Sequence, residues 1–144
     1  MPTSASSPDL LVDTSVAVAL IVSDHEHHRS TIDAVGQRRL GLAGHAAFET
    51  FSVLTRLPPP VRRAPDVVVQ LMAANFPETR FLSSAGARKL LDGLIPAQVA
   101  GGSVYDALVA ATAREHDVVL ATRDRRALDT YRAFAVRIEV LPDR

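Results

Sequence analysis

Four carboxylates in this chain stand where a fold could gather them: Asp13, Glu49, Asp106 and Asp124. Asp13 closes an apolar run, Leu10-Leu11-Val12, and Thr14-Ser15 follow it. Asp124 comes after a second such run, Val118-Val119-Leu120-Ala121, with Thr122-Arg123 between. A buried strand that stops at an acid delivers that acid to one edge of a sheet. In open parallel α/β sheets, ligands collect beyond the carboxyl ends of the strands. Carboxylates crowded there cannot all stay ionised without a cation. Oxygen-only donors suit Mg2+ or Mn2+ rather than zinc. Ions held this way can position and activate a water and stabilise in-line displacement at phosphorus. Such chemistry needs no cysteine, and the chain has none. That absence also excludes a disulfide scaffold, a thiolate metal site and a cysteine nucleophile.

Each acid also has a plainer reading. Asp13 sits where a helix cap would sit. Ser103 and Asp106 have the spacing of a capping box, with Asp in place of the usual Glu or Gln, and Asp106 suits the positive end of a helix dipole. Asp124 lies in Arg123-Asp124-Arg125-Arg126, which also reads as ordinary surface, and Glu49 alone would be an exposed helix acid. The histidines of Ser23-Asp24-His25-Glu26-His27-His28 invite a zinc site. A solvated helix start is the better reading, because no partner ligands lie at metal-site spacing.

The elements that must position these acids follow from hydrophobic periodicity. With 144 residues, 47 % of them hydrophobic, the chain fits one domain with one good core, over 9–144. Residues 1–8 read as a loose polar tail, with neither the basic start nor the apolar core of a signal peptide. Strands are expected at 9–13, 40–43, 80–82, 118–121 and 136–141. Thr14 or Ser15 caps a first helix; others follow at about 27–38, 45–57, 66–76, 83–94, 103–116 and 124–131. Phe48, Phe51 and Leu54 are expected to face a core, as are Tyr105, Leu108, Val109, Thr112 and Ala113. Pro58-Pro59-Pro60 ends one helix, and 58–65 reads as a turn between two. Alternating strands and helices imply a three-layer α/β/α domain with a mostly parallel central sheet, the last strand pairing in either direction.

The formal net charge is zero, so no global basic field attracts nucleic acid. Phosphate contacts must then be local. Arg123, Arg125 and Arg126 flank Asp124 and are the first candidates; Arg56, Arg62 and Arg63 are weaker ones. No apolar run reaches the ~18 residues of a membrane span.

Asp13-Thr14-Ser15, Glu49 on a helix, Asp106 opening a helix and Thr122-Arg123-Asp124 after a strand together resemble a PIN domain. More narrowly, they resemble the VapC toxins of type II toxin–antitoxin modules, and the resemblance covers nearly all of the chain after the tail. It implies a cytoplasmic endoribonuclease dependent on Mg2+ or Mn2+. Asp13, Glu49, Asp106 and Asp124 would be its catalytic and metal-binding quartet. It further implies a VapB-like antitoxin partner and a homodimer; the proline-rich turn is less typical. The alternatives within the fold are a housekeeping PIN nuclease without an antitoxin and a non-catalytic PIN-like interaction module. A haloacid-dehalogenase-like phosphatase would need a second acid where Ser15 stands. A receiver domain would need a lysine after a late strand, and the single lysine, Lys89, lies within a helix.

Overall fold

A computed structural model describes residues 7–143, so residues 1–6 of the expected polar tail lie outside the described residues. Four strands form the sheet: Leu10–Val12 (β1), Leu40–Leu42 (β2), Leu120–Thr122 (β3) and Ile138–Val140 (β4). Their order is β2-β1-β3-β4 and every pairing is parallel. The last strand therefore joins parallel to its neighbour, with Leu120 opposite Ile138 and Thr122 opposite Val140. β1, β2 and β3 are buried along their whole length. This is the reason for their continuous apolar runs, since a strand covered on both faces has no solvent side to mark with polar residues.

The helices are Thr14–Ile21 (α1), His28–Val35 (α2), His45–Thr55 (α3), Pro65–Asn75 (α4), Ser84–Gly93 (α5), Ser103–Glu115 (α6) and Leu128–Ala133 (α7). Strand alternation divides the core between the two faces of the sheet. Leu10, Val12, Leu40 and Leu42 pack with Val16 and Ala17 of α1, Val35 of α2, and Phe76 just after α4. Leu11 and Leu120 pack with Val109, Ala110 and Ala113 of α6 and Tyr131 of α7. Ala47 of α3 joins the first cluster and Ala46 the second. The result is a three-layer α/β/α arrangement around a parallel sheet.

Two glycines permit this packing. A Cβ on Gly41, in the middle of β2, would lie 2.0 Å from the Glu78 carbonyl oxygen. Segment 78–80 runs that close because it bonds along the strand: the Glu78 amide donates to Leu40 O at 3.1 Å and the Arg80 amide to Leu42 O at 3.2 Å. Gly44, with φ +51°, makes the sharp entry into α3, and a Cβ there would meet Thr112 Oγ1 at 2.7 Å. Glycine carries that backbone conformation without the steric cost a side chain would add.

Several local expectations are corrected. The strand expected at 80–82 is a single bridge, Arg80 to Ala43, because the chain turns away after Arg80 O accepts the Gly44 amide at 2.7 Å. Phe48 and Tyr105 do not face the core; they are 66 % and 52 % exposed. Phe48 instead lies against Phe81, with ring centroids 6.1 Å apart. The Ser103–Asp106 capping box is absent: Gly102 holds the cap position, no side chain caps α6, and Ser103 is already helical. Neither Thr14 nor Ser15 caps α1; Asp13 does, accepting the Val16 amide. α4 starts on Pro65 at its first turn, where the missing amide hydrogen would have had no partner within the helix.

Candidate active site

The four acids named from the sequence line one small cavity of about 50 Å3, together with Thr14, Ser15, Val109 and Tyr131. Asp13 arrives at the end of β1 and Asp124 just beyond β3, which are adjacent parallel strands. Glu49 comes from α3 and Asp106 from the first turn of α6.

Asp13 is 4 % exposed, and its carboxylate accepts four hydrogen bonds. Oδ1 takes the Ser15 hydroxyl at 2.6 Å and the Val16 amide at 3.2 Å. Oδ2 takes the Tyr131 hydroxyl at 2.8 Å and the Thr122 hydroxyl. The two alcohols are themselves anchored: Ser15 Oγ accepts the Arg123 amide and Thr122 Oγ1 the Asp124 amide, each at 2.9 Å. Burial pushes the Asp13 carboxyl above its ordinary range, while its four hydrogen bonds pull the other way. Burial, then the negative charge of Asp13, raises the Tyr131 phenol and keeps it a proton donor.

Asp106 is different. Among the described residues it has no hydrogen-bond partner, and it is pushed up to about 6 by burial and then by the charges of Asp124, Glu49 and Asp13. Glu49 accepts the Thr14 hydroxyl at 3.1 Å on one oxygen and faces His45 Nε2 at 3.2 Å with the other. Asp124 caps the 3-10 turn Arg125–Ala127, accepting the Arg126 amide at 3.0 Å. Like charges sharing one cavity, only partly offset at Asp106 by the charge of Arg126, are what a divalent cation relieves, and the donor set is entirely oxygen. Among the described residues, no three acid or histidine side chains already converge tightly enough to hold an ion.

Glu49 and Asp106 also border a groove of about 670 Å3, walled by Phe48, Ser52, Arg56 and the stacked rings of His45 and Tyr105. On the other side, Ser15, Asp124, Arg125 and Arg126 open onto a basic face. Arg125 is exposed and the Arg126 side chain is 94 % exposed. The Arg123 side chain is only 5 % exposed. Its guanidinium holds Pro142 O at 2.9 Å and Asp143 at 3.3 Å, while its buried Nε has no acceptor among the described residues. The histidines near the start of α2 serve structure: His28 Nδ1 lies 2.8 Å from Ala19 O, joining α2 to α1.

Tyr131, Thr122 and Ser15 were not singled out as site residues from the sequence. The two alcohols did carry a signal, since each adjoins an acid at a strand end. Tyr131 carried only a weak one, a polar-tipped aromatic on a short helix after Asp124.

A parallel sheet that gathers an acid quartet at its carboxyl edge is what the resemblance to PIN domains implied. The family model described as PIN domain matches residues 10–133, and the chain belongs to that family. Within it, the chain groups with the VapC ribonucleases. It is 45 % identical over 133 residues to Ribonuclease VapC27 of Mycobacterium tuberculosis strain H37Rv, covering 92 % of this chain and 97 % of that protein. It is 44 % identical over 131 residues to Ribonuclease VapC40 of Mycobacterium tuberculosis strain CDC 1551 / Oshkosh, covering 90 % and 96 %. The same fold is seen in the crystal structure of FitAcB from Neisseria gonorrhoeae, with a TM-score of 0.62, 19 % identity, and 93 % and 97 % of the two chains covered. A structure of FitAB bound to an IR36 DNA fragment matches with the same score.

Proposed function

We propose that this protein is the endoribonuclease toxin of a toxin–antitoxin pair, acting as a single PIN unit over 9–144 in the cytoplasm. The observation that carries the reading is the cavity lined at once by Asp13, Glu49, Asp106 and Asp124. Membership among the VapC ribonucleases supports RNA as the substrate.

The quartet would hold Mg2+ or Mn2+. A divalent ion there supplies Lewis acidity and lowers the pKa of a coordinated water. The chain's own residues do the rest. Thr14 and His45 aim Glu49, and the Thr122 and Asp124 backbone link sets Asp124 beside Asp13. Asp106, with no hydrogen-bond partner among the described residues, borders the cavity and can take up a proton at its carboxylate. Arg125 and Arg126 would meet RNA phosphates, while the Arg123 side chain lies buried and tied to Pro142 O and Asp143.

The exposed apolar side chains Phe48 of α3, Val67 and Val69 of α4, and Leu91 of α5 support protein partners, namely a VapB-like antitoxin and a second copy of this chain. Among the described residues no helix is long and apolar enough to cross a membrane.

The test is manganese binding by calorimetry together with RNA cleavage, after chelation and after refilling. Chelated protein should be inactive and Mn2+ should restore cleavage. Asp106→Asn should lose cleavage while remaining folded. Full cleavage by that variant, or by chelated wild type, would overturn the metal mechanism.

A further inference from the structure

The Asp13 carboxylate has about four acceptor positions, two on each oxygen, and all four are taken. A cation that binds Asp13 directly must displace one of its donors. The four donors are not equal. The Val16 amide belongs to the first turn of α1 and cannot move without unwinding it. Ser15 and Thr122 each pass their proton to Asp13 while accepting a strand-end amide, so each is held from two sides. The Tyr131 hydroxyl has Asp13 as its one hydrogen-bond partner among the described residues, and Tyr131 lines the cavity shared by the four acids.

We propose that Tyr131 occupies the cation-facing acceptor of Asp13 in the metal-free protein and yields it when a divalent ion enters. Oδ2 would then give up the hydrogen bond from the phenol, the proton staying on Tyr131, and become free to hold the ion. The released hydroxyl still faces a cavity bordered by Asp106 and Asp124. In this role Tyr131 is a positioning residue: it holds the acceptor of Asp13 that borders the cavity until an ion competes for it. The inference rests on the metal reading above and adds a specific order of exchange to it.

The experiment is Mn2+ titration of wild type and Tyr131→Phe by calorimetry, with folding checked by circular dichroism. Removing the competing hydroxyl should tighten Mn2+ binding at least about fivefold, since hydrogen bonds to charged groups are among the stronger ones. A purely structural Tyr131 would lower stability and leave the affinity unchanged. Unchanged or weaker binding by the folded variant overturns the proposal but leaves the metal site intact. Absence of binding in both proteins overturns the metal reading, and this inference with it. A second measurement does not depend on Tyr131→Phe folding and uses a substitution at the half-exposed Tyr105. The chain has two tyrosines, so Tyr105→Phe leaves Tyr131 as the sole phenol. Its near-UV band should shift to the blue on Mg2+ titration and saturate with binding. A band that does not move while Mg2+ binds overturns the exchange.

Discussion

Thr122 donates its hydroxyl proton to Asp13 across 109 residues of sequence and takes the Asp124 amide in return. One alcohol thus fixes two acids from adjacent strands. Asp13 is both a member of the acid quartet and the central acceptor of this polar network.

Asp13→Asn is therefore expected to do two things. It should abolish cleavage, and it should also destabilise the fold by about 1–3 kcal/mol, because an amide nitrogen cannot accept the donors that now meet one carboxylate oxygen. Denaturant unfolding of the metal-free variant measures the second effect. A variant as stable as wild type would show that the network contributes no net stability.

Asp106→Asn should behave in the opposite way. Asp106 has no hydrogen-bond partner to lose among the described residues, and its charge is disfavoured by burial and by Asp124, Glu49 and Asp13. The neutral variant should be more stable than wild type in chelator at pH 8. Its carboxyl is raised to about 6 in the folded state, so the unfolded chain releases this proton at lower pH. Its contribution to stability is then complete below the unfolded value and lost as pH rises through about 6. The melting temperature of metal-free wild type should fall between pH 5 and pH 7 relative to Asp106→Asn. Mg2+ should reduce that gap. Cleavage should decline only at a pH below the metal-free value of about 6, because a bound cation favours the ionised Asp106 carboxylate. Parallel melting curves across this range would remove the assigned shift.

The arginines after β3 should separate by role. Replacing Arg125 and Arg126 together with Gln should weaken RNA binding and flatten its salt dependence, with little change in stability, because both side chains are exposed. Arg123→Ala should lower stability as well, because its guanidinium holds the Pro142 carbonyl and Asp143. Filter binding across a salt series, with melting curves on the same samples, tells these apart. An unchanged salt slope in the double variant would place the RNA path elsewhere.

The toxin reading predicts a partner. Co-expression with the neighbouring antitoxin gene should give a stable complex whose cleavage is suppressed and returns after proteolysis of the partner. Arginine from such a partner would pair well with the acid quartet in place of a cation. Nuclease activity without any complex would instead indicate a PIN nuclease outside a toxin–antitoxin pair.

By itself, the sequence determined the α/β alternation and a mostly parallel sheet, and it marked the four acids that meet in one cavity, while the direction of the last strand came from the tertiary structure. β1 and β3 are short, buried and run into an acid or a hydroxyl, so both the buried segment and its chemical end are written locally. Residues whose surroundings are set by distant segments were not legible in this way. Phe48 and Tyr105 have the spacing of core residues, yet both are exposed, while Leu54 in α3 and Val109, Thr112 and Ala113 in α6 are buried as that spacing expects. Arg80-Phe81-Leu82 has strand composition, but only Arg80 finds an edge with free hydrogen-bonding groups. Ser103 has the spacing of a cap, but α6 starts one residue too early for it. Above all, the meeting of Tyr131 with Asp13 spans 118 residues. Helical periodicity could place Tyr131 on a buried face, but only the packing of α7 over the end of β1 decides that its hydroxyl finds a carboxylate.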